Sequence, residues 1–553
     1  MFETTDSARV LAGFVPAAVL RRYGAAEVLP PHAQAEAIAG AVLFADISGF
    51  TPLAERLAGR GGRGAEELTE ILNLVFGHLI TSIDRHGGEV LKFAGDALLA
   101  VWEDGAQDSD TAAATLRAAA CGLELHGVAR AAAAEAGVEL TLRIGIGAGP
   151  LELLYVVGDG DRRECLATGS PLDQMAVAEH QARVGDTVLS PQAWAGVAAQ
   201  AMGQPLGEGC VRVREVREPP PRARSRRESE QPQAQALSPF VSRAVRERVA
   251  AGQSDWLSEL RRVTVLFLCL QMGEGEMLAS TQAAFERITE VFHRYQATVD
   301  KLSVDDKGLI ALVALGLPPL SHPDDPERAV MAALELRAAL AAQGQGCRIG
   351  VATGRGFCGV VGSALRREYT VIGDTVNLAA RLMQQAGDGI LCDQATYDAA
   401  QAAVCFGEAR LLNLKGKAGQ IRAFEVSGLR EDKAPIQESL VRRRELDRLV
   451  ARLEELTAGN GGERASCWPP SRRSPGSGAC AASPEQAIRS SRALPTLPGA
   501  RWSKSCWAWT GPAPGRPRRG GCTSSRRWPR TPCWPAWGPC CATWSRWTCR
   551  RAS

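Results

Sequence analysis

The chain is short of aromatic residues (5% Phe, Trp and Tyr), holds only 7 histidines in 553 residues, and contains no long apolar run. Leu309–Leu317 is among the longest such runs, far below the ~18–20 residues that a membrane-spanning helix needs. The start, Met1-Phe-Glu-Thr-Thr-Asp, lacks the basic and apolar segments of a secretory signal. Eight of the sixteen cysteines lie in residues 1–465, with neither CxxC nor zinc spacing. That pattern argues against a disulfide framework or a structural zinc and reads as small buried thiols in a reducing cytosol. The expectation is a cytoplasmic protein without a membrane partner.

A dominant charge is also missing, since 64 Lys+Arg oppose 61 Asp+Glu for a net +3. The balance conceals an asymmetry. Residues 466–553 carry 15 basic residues against the single acid Glu485, whereas residues 1–465 carry 49 basic and 60 acidic ones, a net −11. An acidic body of that kind disfavours nucleic acid as its partner.

What the chain does contain is an internal repeat. Ala41-Val-Leu-Phe-Ala-Asp46-Ile-Ser-Gly-Phe-Thr51 reads as a buried strand ending in an acid and a tight turn, and Arg262–Gln271 repeats it. Alone, Asp46 reads as a helix N-cap. Gly87–Trp102 reads as a hairpin with Asp96 at its tip, and Val304–Val313 repeats that hairpin. Leu142–Gly149 is matched by Cys347–Gly354, and Leu166–Asp173 by Tyr369–Arg381. Gly59–Gly64 is expected to be a loop between helices. The helix after it, Glu66 to Arg85, turns Leu68, Ile71, Leu72, Val75, Leu79 and Ile83 to one face. Two copies of such a unit imply an α+β fold with ferredoxin-like sheets, paired across a pseudo-two-fold axis.

The expected boundaries are a helical lead-in (1–39), a first domain (40–215), a proline-rich solvated linker (216–260) and a second domain (261–428). Within the repeat the copies differ where chemistry would sit. In a direct alignment Asp46 falls opposite Cys269 and Asp96 opposite Lys307, so the first copy alone holds the carboxylate pair. Asn377 and Arg381, one helical turn apart, fall opposite Asp173 and Val177.

Three motifs, Phe44-Ala-Asp-Ile-Ser-Gly-Phe-Thr51, Lys92-Phe-Ala-Gly-Asp-Ala-Leu-Leu-Ala-Val-Trp102 and Tyr369-Thr-Val-Ile-Gly-Asp-Thr-Val-Asn-Leu-Ala-Ala-Arg381, resemble those of the class III nucleotidyl cyclases. The likeness is to the tandem-domain soluble adenylyl cyclase type and spans roughly residues 40–427. It implies an intramolecular domain pair, one composite site, and conversion of ATP to 3′,5′-cyclic AMP and pyrophosphate, a signalling lyase reaction. It also implies that Asp46 and Asp96 bind two Mg²⁺ ions (Mn²⁺ substituting) roughly 3.5–4 Å apart. Backbone N–H groups of Ile47, Ser48, Gly49, Phe50 and Thr51 would cradle phosphate, and Arg143 would contact it. Asn377 would orient the ribose and Arg381 would stabilise charge at the α-phosphoryl group. Lys307 and Thr370 would read adenine, with Lys417 and Lys415 as weaker phosphate candidates. The rival readings are a guanylyl cyclase, which Lys307 and Thr370 oppose, and a non-catalytic nucleotide-binding module. In the soluble type a lysine and an arginine hold bicarbonate at the twin site. Lys92 fills the lysine position here and Ala176 the arginine position, so weak or absent bicarbonate activation is expected.

Residues 441–456 form a charged amphipathic segment that resembles the lead-in (429–465) to a P-loop ATPase domain, yet no P-loop follows. Residues 466–553 hold nine of the twelve tryptophans and no Asp, Val, Phe or Tyr. They are read as the disordered product of a shifted reading frame, in preference to a basic tail that binds nucleic acid or membrane.

Overall fold

The structure, a computed structural model, describes residues 2–58, 62–104, 111–217, 232–252, 259–272, 276–305, 308–318, 320–414 and 419–430. The segment after Arg430, with the expected ATPase lead-in and the basic tail, lies outside the described residues, as do Lys307, Lys415 and Lys417.

The first copy holds strands β1 (Gln34–Ser48), β2 (Glu89–Ala94), β3 (Ala97–Glu103), β4 (Thr141–Val157), β5 (Arg163–Thr168), β6 (Thr187–Leu189), β7 (Ala201–Pro205) and β8 (Val211–Val216). The second holds β9 (Glu259–Leu270), β10 (Thr298–Asp305), β11 (Gly308–Leu315), β12 (Cys347–Gly362), β13 (Arg367–Ile372), β14 (Ile390–Asp393), β15 (Val404–Asn413) and β16 (Gln420–Leu429). The sheet orders are β2-β3-β1-β4-β6-β8-β7 and β10-β11-β9-β12-β14-β16-β15, the same topology twice, with β5 on β4 and β13 on β12.

Helices α1 (Phe2–Ala12) and α2 (Ala17–Tyr23) precede the first sheet. Within that copy follow α3 (Phe50–Ala58), α4 (Gly62–Arg85), α5 (Ala112–Glu135), α6 (Ser170–Gln181) and α7 (Pro191–Val197). Between the copies lie α8 (Ala234–Leu237) and α9 (Arg243–Ala250), and the second copy adds α10 (Met277–Arg294), α11 (Asp325–Ala341), α12 (Asp374–Gln385) and α13 (Gln394–Ala400). The protein is therefore a pair of mixed α+β sheet–helix domains within one compact unit.

The apolar face expected on α4 is buried at all six positions. Its start differs from expectation: the helix begins at Gly62, inside the glycine-rich stretch, and 59–61 lie outside the described residues. β1 begins at Gln34, because Gln34–Gly40 continue to pair with Tyr155–Gly149 of β4. Both faces of β1 are covered, which is why its central residues are all apolar and buried. Glycine is required where helix meets sheet. A Cβ on Gly145 would lie 2.4 Å from the Glu179 nitrogen, and one on Gly350 would lie 2.1 Å from the Ala379 carbonyl oxygen. α6 and α12 thus pack directly on β4 and β12.

The linker differs most from expectation. Residues 218–231 are outside the described set, but 232–252 fold: Leu237, Phe240, Val241 and Val245 join Leu11, Phe14, Val15 and Val19 in one buried cluster. The apolar positions of α9 recur with a helical period, and they find a partner in the lead-in helices.

The two copies share their interiors. Phe357, Val361 and Ile372 enter the core of the first copy, and Leu154, Val156 and Leu166 enter that of the second. Each copy also sends a lysine across: Lys92 Nζ donates to the Leu302 carbonyl, and Lys301 Nζ donates to the Phe93 carbonyl at 2.7 Å.

Candidate active site

Asp46 stands near the end of β1, opposite Ala97 of β3 and Arg143 of β4. It is 3% exposed. Asp96 follows from the turn between β2 and β3, where Gly95 takes a φ of 70°. The Ile47 N–H donates to the Asp96 carbonyl at 3.3 Å and ties the hairpin tip to β1. Burial and the neighbouring Asp46 carboxylate push Asp96 up to about 7.

Two sequence expectations change here. The Ile47 N–H is engaged within the protein, since the Asp96 carbonyl at the hairpin tip accepts it. Arg143, expected at the triphosphate, is 4% exposed and lies among carboxylates instead: its Nη2 is 2.6 Å from Asp46 and 2.7 Å from Glu179 of α6. Burial raises Glu179, an acid the sequence reading did not single out, against the pull of Arg143. The repeat alone could not mark Glu179, because Met383 stands at the matching position of α12.

Beside this network a cleft with about 800 Å³ of empty space, open in part to solvent, runs between the copies. Phe50, Gly95 and Asp96 of the first copy line it, facing Arg355, Gly373 and Asn377 of the second. Gly49, at a φ of 96°, turns the chain so that α3 starts at Phe50 with its N-terminal end at the cleft. That geometry suits an anion, and it involves Ser48, Gly49, Phe50 and Thr51. Asn377 and Arg381 both lie on α12. Arg355, exposed at the cleft, is a cation that the sequence reading missed.

The register of the sheets corrects the alignment of the hairpins. Asp46 pairs with Ala97 and Arg143, and Cys269 pairs with Ile310 and Arg348. Ala97 therefore corresponds to Ile310, and Asp96 to Leu309 rather than to Lys307. The second hairpin pairs two positions farther toward its tip, to Asp305 and Gly308, and Lys307 is outside the described residues. The lysine that matches Lys92 is Lys301. Each follows a bulge, between Val90 and Lys92 in β2 and between Val299 and Lys301 in β10. Aligning Asp96 with Lys307 hid this match, although Lys301 keeps with Asp305 the Lys-x-x-x-Asp spacing of Lys92 and Asp96.

Lys301 lies 3.4 Å from Glu368 of β13. Asp300, the residue at the bulge, is 9% exposed, and the fully buried Thr370 directs its Oγ1 toward Asp300 Oδ2 at 3.5 Å. On the other side of the pseudo-axis Lys92 lies 3.4 Å from Glu164, which Arg162 also holds at 2.8 Å. The twin lysine thus already has an internal carboxylate. Ala176, on α6, provides no second cation there.

Among the described residues no group of three or more His, Cys, Asp or Glu side chains could hold a metal ion. The donor chemistry of Asp46 and Asp96 nevertheless fits a hard cation. Two adjacent carboxylates repel one another, and the Arg143 guanidinium already supplies positive charge at Asp46; Mg²⁺ is commonly held by one or two carboxylates plus substrate phosphates. No helix among the described residues is long and apolar enough to cross a membrane.

Residues 33–168 and 310–427 match the family described as adenylate and guanylate cyclase catalytic domain. The chain is 31% identical over 442 residues to adenylate cyclase type 10 of Mus musculus, a match covering 73% of this chain and 27% of that protein. Against the Homo sapiens protein of the same name it is 30% identical over 397 residues, covering 65% of this chain and 24% of that one. The chain thus spans about a quarter of the length of the curated relatives it matches. A solved class III adenylyl cyclase-like ATP-binding protein from Pseudomonas aeruginosa is 15% identical, with a TM-score of 0.44 over 66% of this chain and 85% of that one. With both copies of the sheet–helix unit and the matched segments in hand, the chain belongs to the class III nucleotidyl cyclases.

Proposed function

We propose that the protein is an adenylyl cyclase, with one composite site that converts ATP to 3′,5′-cyclic AMP and pyrophosphate. One observation carries the reading: the cleft is lined by Asp96 from the first copy and Asn377 from the second, so acids and ribose-orienting groups meet only because the copies pair. In this reaction the ribose 3′-oxygen bonds to the α-phosphorus, the bond from that phosphorus to the bridging oxygen breaks, and the hydroxyl proton is released.

Asp46 and Asp96 are the residues that would hold Mg²⁺ or Mn²⁺, two ions in all. Bound there, the metal supplies positive charge to the triphosphate and acidity to the 3′-hydroxyl. Arg143 pairs with Asp46, and Glu179 holds Arg143 in place. The backbone at Ser48–Thr51 and the start of α3 receive phosphate oxygens. Asn377 orients the ribose, and Arg381, one turn along the same helix, faces the charge that develops at the α-phosphoryl group. Lys301 takes the base-reading role with Thr370, because it is the lysine in register with Lys92 and its ammonium lies 3.4 Å from Glu368, two residues before Thr370 on β13.

The test is cyclic-product formation by the full chain with Mg- or Mn-ATP and with the matching GTP salts. Cyclic AMP is expected, lost in Asp46→Ala and in Arg381→Ala. A fully active Asp46→Ala protein sinks the mechanism; cyclic GMP as the main product makes the protein a guanylyl cyclase, and nucleotide binding without turnover makes it a regulatory module.

A further inference from the structure

The two copies place the same backbone device at equivalent points and fill it differently. In β10 the bulge leaves Asp300 outside the ladder and turns both it and Lys301 toward β13, against Thr370 and Glu368, as bulges do when they re-aim a side chain. In β2 the equivalent residue is Leu91, buried in an apolar cluster. The partner differs in the same sense. Thr370 of β13 corresponds to Leu166 of β5, again a buried apolar residue. A polar pair, Asp300 with Thr370, thus stands where the twin has two leucines. A buried carboxylate is costly unless it is paired or hydrogen-bonded, and here a fully buried hydroxyl lies 3.5 Å away as a donor.

A hydroxyl has one hydrogen and two lone pairs. When the Thr370 hydrogen points to the Asp300 carboxylate, only the lone pairs remain for a bound base. The group then accepts a hydrogen bond from an exocyclic amine and opposes a carbonyl. Adenine carries an amine at C6, and guanine carries an oxygen there.

We propose that Asp300 is a specificity-determining positioning residue: it fixes the rotor of the Thr370 hydroxyl as an acceptor, so that the site takes a 6-aminopurine nucleotide and refuses a 6-oxopurine one. The inference rests on the reading of this cleft as a purine nucleotide site. Protonation of Asp300 reverses the arrangement, since the neutral acid can donate to Thr370 and leave the threonine hydrogen free for a carbonyl. The charged and titratable groups that face Asp300 are Lys301 on its own strand, Glu368 and Tyr369 on β13, Lys92 on β2 and Cys358 on β12. Burial outweighs the two lysines and pushes Asp300 up to about 7.

The experiment compares kcat/KM for ATP and for GTP in the full chain and in Asp300→Leu, Asp300→Asn and Thr370→Val. Thermal melts accompany each variant. Asp300→Leu installs the twin's residue and is expected to fold. The ATP:GTP ratio should narrow about tenfold in Asp300→Leu and in Thr370→Val, the equivalent of one lost hydrogen bond. In the unmodified chain the ratio should also narrow as the pH falls through 7, and Asp300→Asn should remove that pH dependence. Parallel losses for both nucleotides, with the ratio unmoved, would overturn the proposal in favour of a merely structural role. Equilibrium binding of MgATP and MgGTP is measured alongside. Should no cyclic product form from either nucleotide, the cyclase reading fails, while the binding ratio still decides the role of Asp300. An unchanged binding ratio in Asp300→Leu, or no binding at all, overturns it.

Discussion

Lys92 and Lys301 sit at equivalent points of two equivalent hairpins, each beside a glutamate and each donating to the opposite copy, yet their surroundings diverge within a few ångströms. Around Lys301 lie Asp300 and Thr370, with Asn377 and Arg381 on the adjoining helix. Around Lys92 the matching residues are Leu91, Leu166, Asp173 and Val177. The carboxylates diverge in the opposite direction: Asp46 and Asp96 belong to the first copy, and Cys269 and Leu309 stand at the matching positions of β9 and β11 in the second. Cys269 no longer meets a cation through a carboxylate; Arg348 donates to its sulfur at 3.1 Å. Duplication thus preserved the scaffold while the polar residues diverged between the copies. On the proposed reading, one of the two equivalent sites received both halves of the chemistry and the other neither.

The sharpest way to break this comparison is to exchange residues across the pseudo-axis. Asp46→Ala or Arg381→Ala should lower the rate of cyclic-product formation by on the order of 10²–10³ or more, as expected for loss of a group that acts on transition-state charge. Cys269→Ala and Val177→Ala, at the twin positions, should leave it near the unmodified value in the same steady-state assay. Equal losses in both sets would mean that the twin site also works.

The next largest effect is on stability. Arg366, buried at the start of the β13 segment, donates to the carbonyls of Phe14, Val90 and Leu91 and pairs with Glu368 at 3.2 Å. Its counterpart Arg162 reaches the Pro239 carbonyl and Glu164 and is more exposed. Removing Arg366 leaves three carbonyls short of a donor and Glu368 with Lys301 alone, so Arg366→Ala should cost about 3–5 kcal/mol in urea unfolding. Arg162→Ala should cost about 1 kcal/mol. Matching losses would show that the two copies are braced alike.

How much of this was legible beforehand differs between backbone and side chains. The apolar face of α4 and the repeated strand patterns carry their own period, so the doubled α+β unit could be read directly from the sequence. Asp46, Asp96 and Asn377 could be singled out because the copies differ at those positions. Lys301 was obscured by the longer hairpin tip, which shifts the register; its one local signal is the Lys-x-x-x-Asp spacing to Asp305 that Lys92 and Asp96 share. Glu179 and Arg143 form their pair only when α6 closes on β4 at Gly145, a contact that no local spacing encodes. The folded part of the linker escaped for a similar reason: the apolar face of α9 is completed by α1 and α2, more than 200 residues earlier.

A smaller effect concerns pH. Asp300 has a folded-state value pushed to about 7 from an ordinary 3.8, so between those limits the native state holds a proton that the unfolded chain has released. Its contribution favours folding least above pH 7. It should therefore make stability fall as pH rises from about 4 to 7 and then level off. Asp300→Asn should flatten that part of the unfolding profile, and an unaltered slope would place the titration elsewhere.

The smallest effect expected is none. Bicarbonate at fixed pH should not raise the rate several-fold, since Glu164 already neutralises Lys92 and Ala176 offers no second cation. A clear activation would assign the twin site a ligand despite its internal acid.

The crossed lysines have one more consequence. Lys92 holds Leu302 and Lys301 holds Phe93, so the two strands are geared: a rotation that parts one lysine from its carbonyl strains the other as well. A cleft opened for nucleotide release at one end must be felt at the other. Lys92 can accordingly persist in evolution as a tooth of that gear after its pocket has lost any guest, and a retained lysine at such a position is no record of what once bound there.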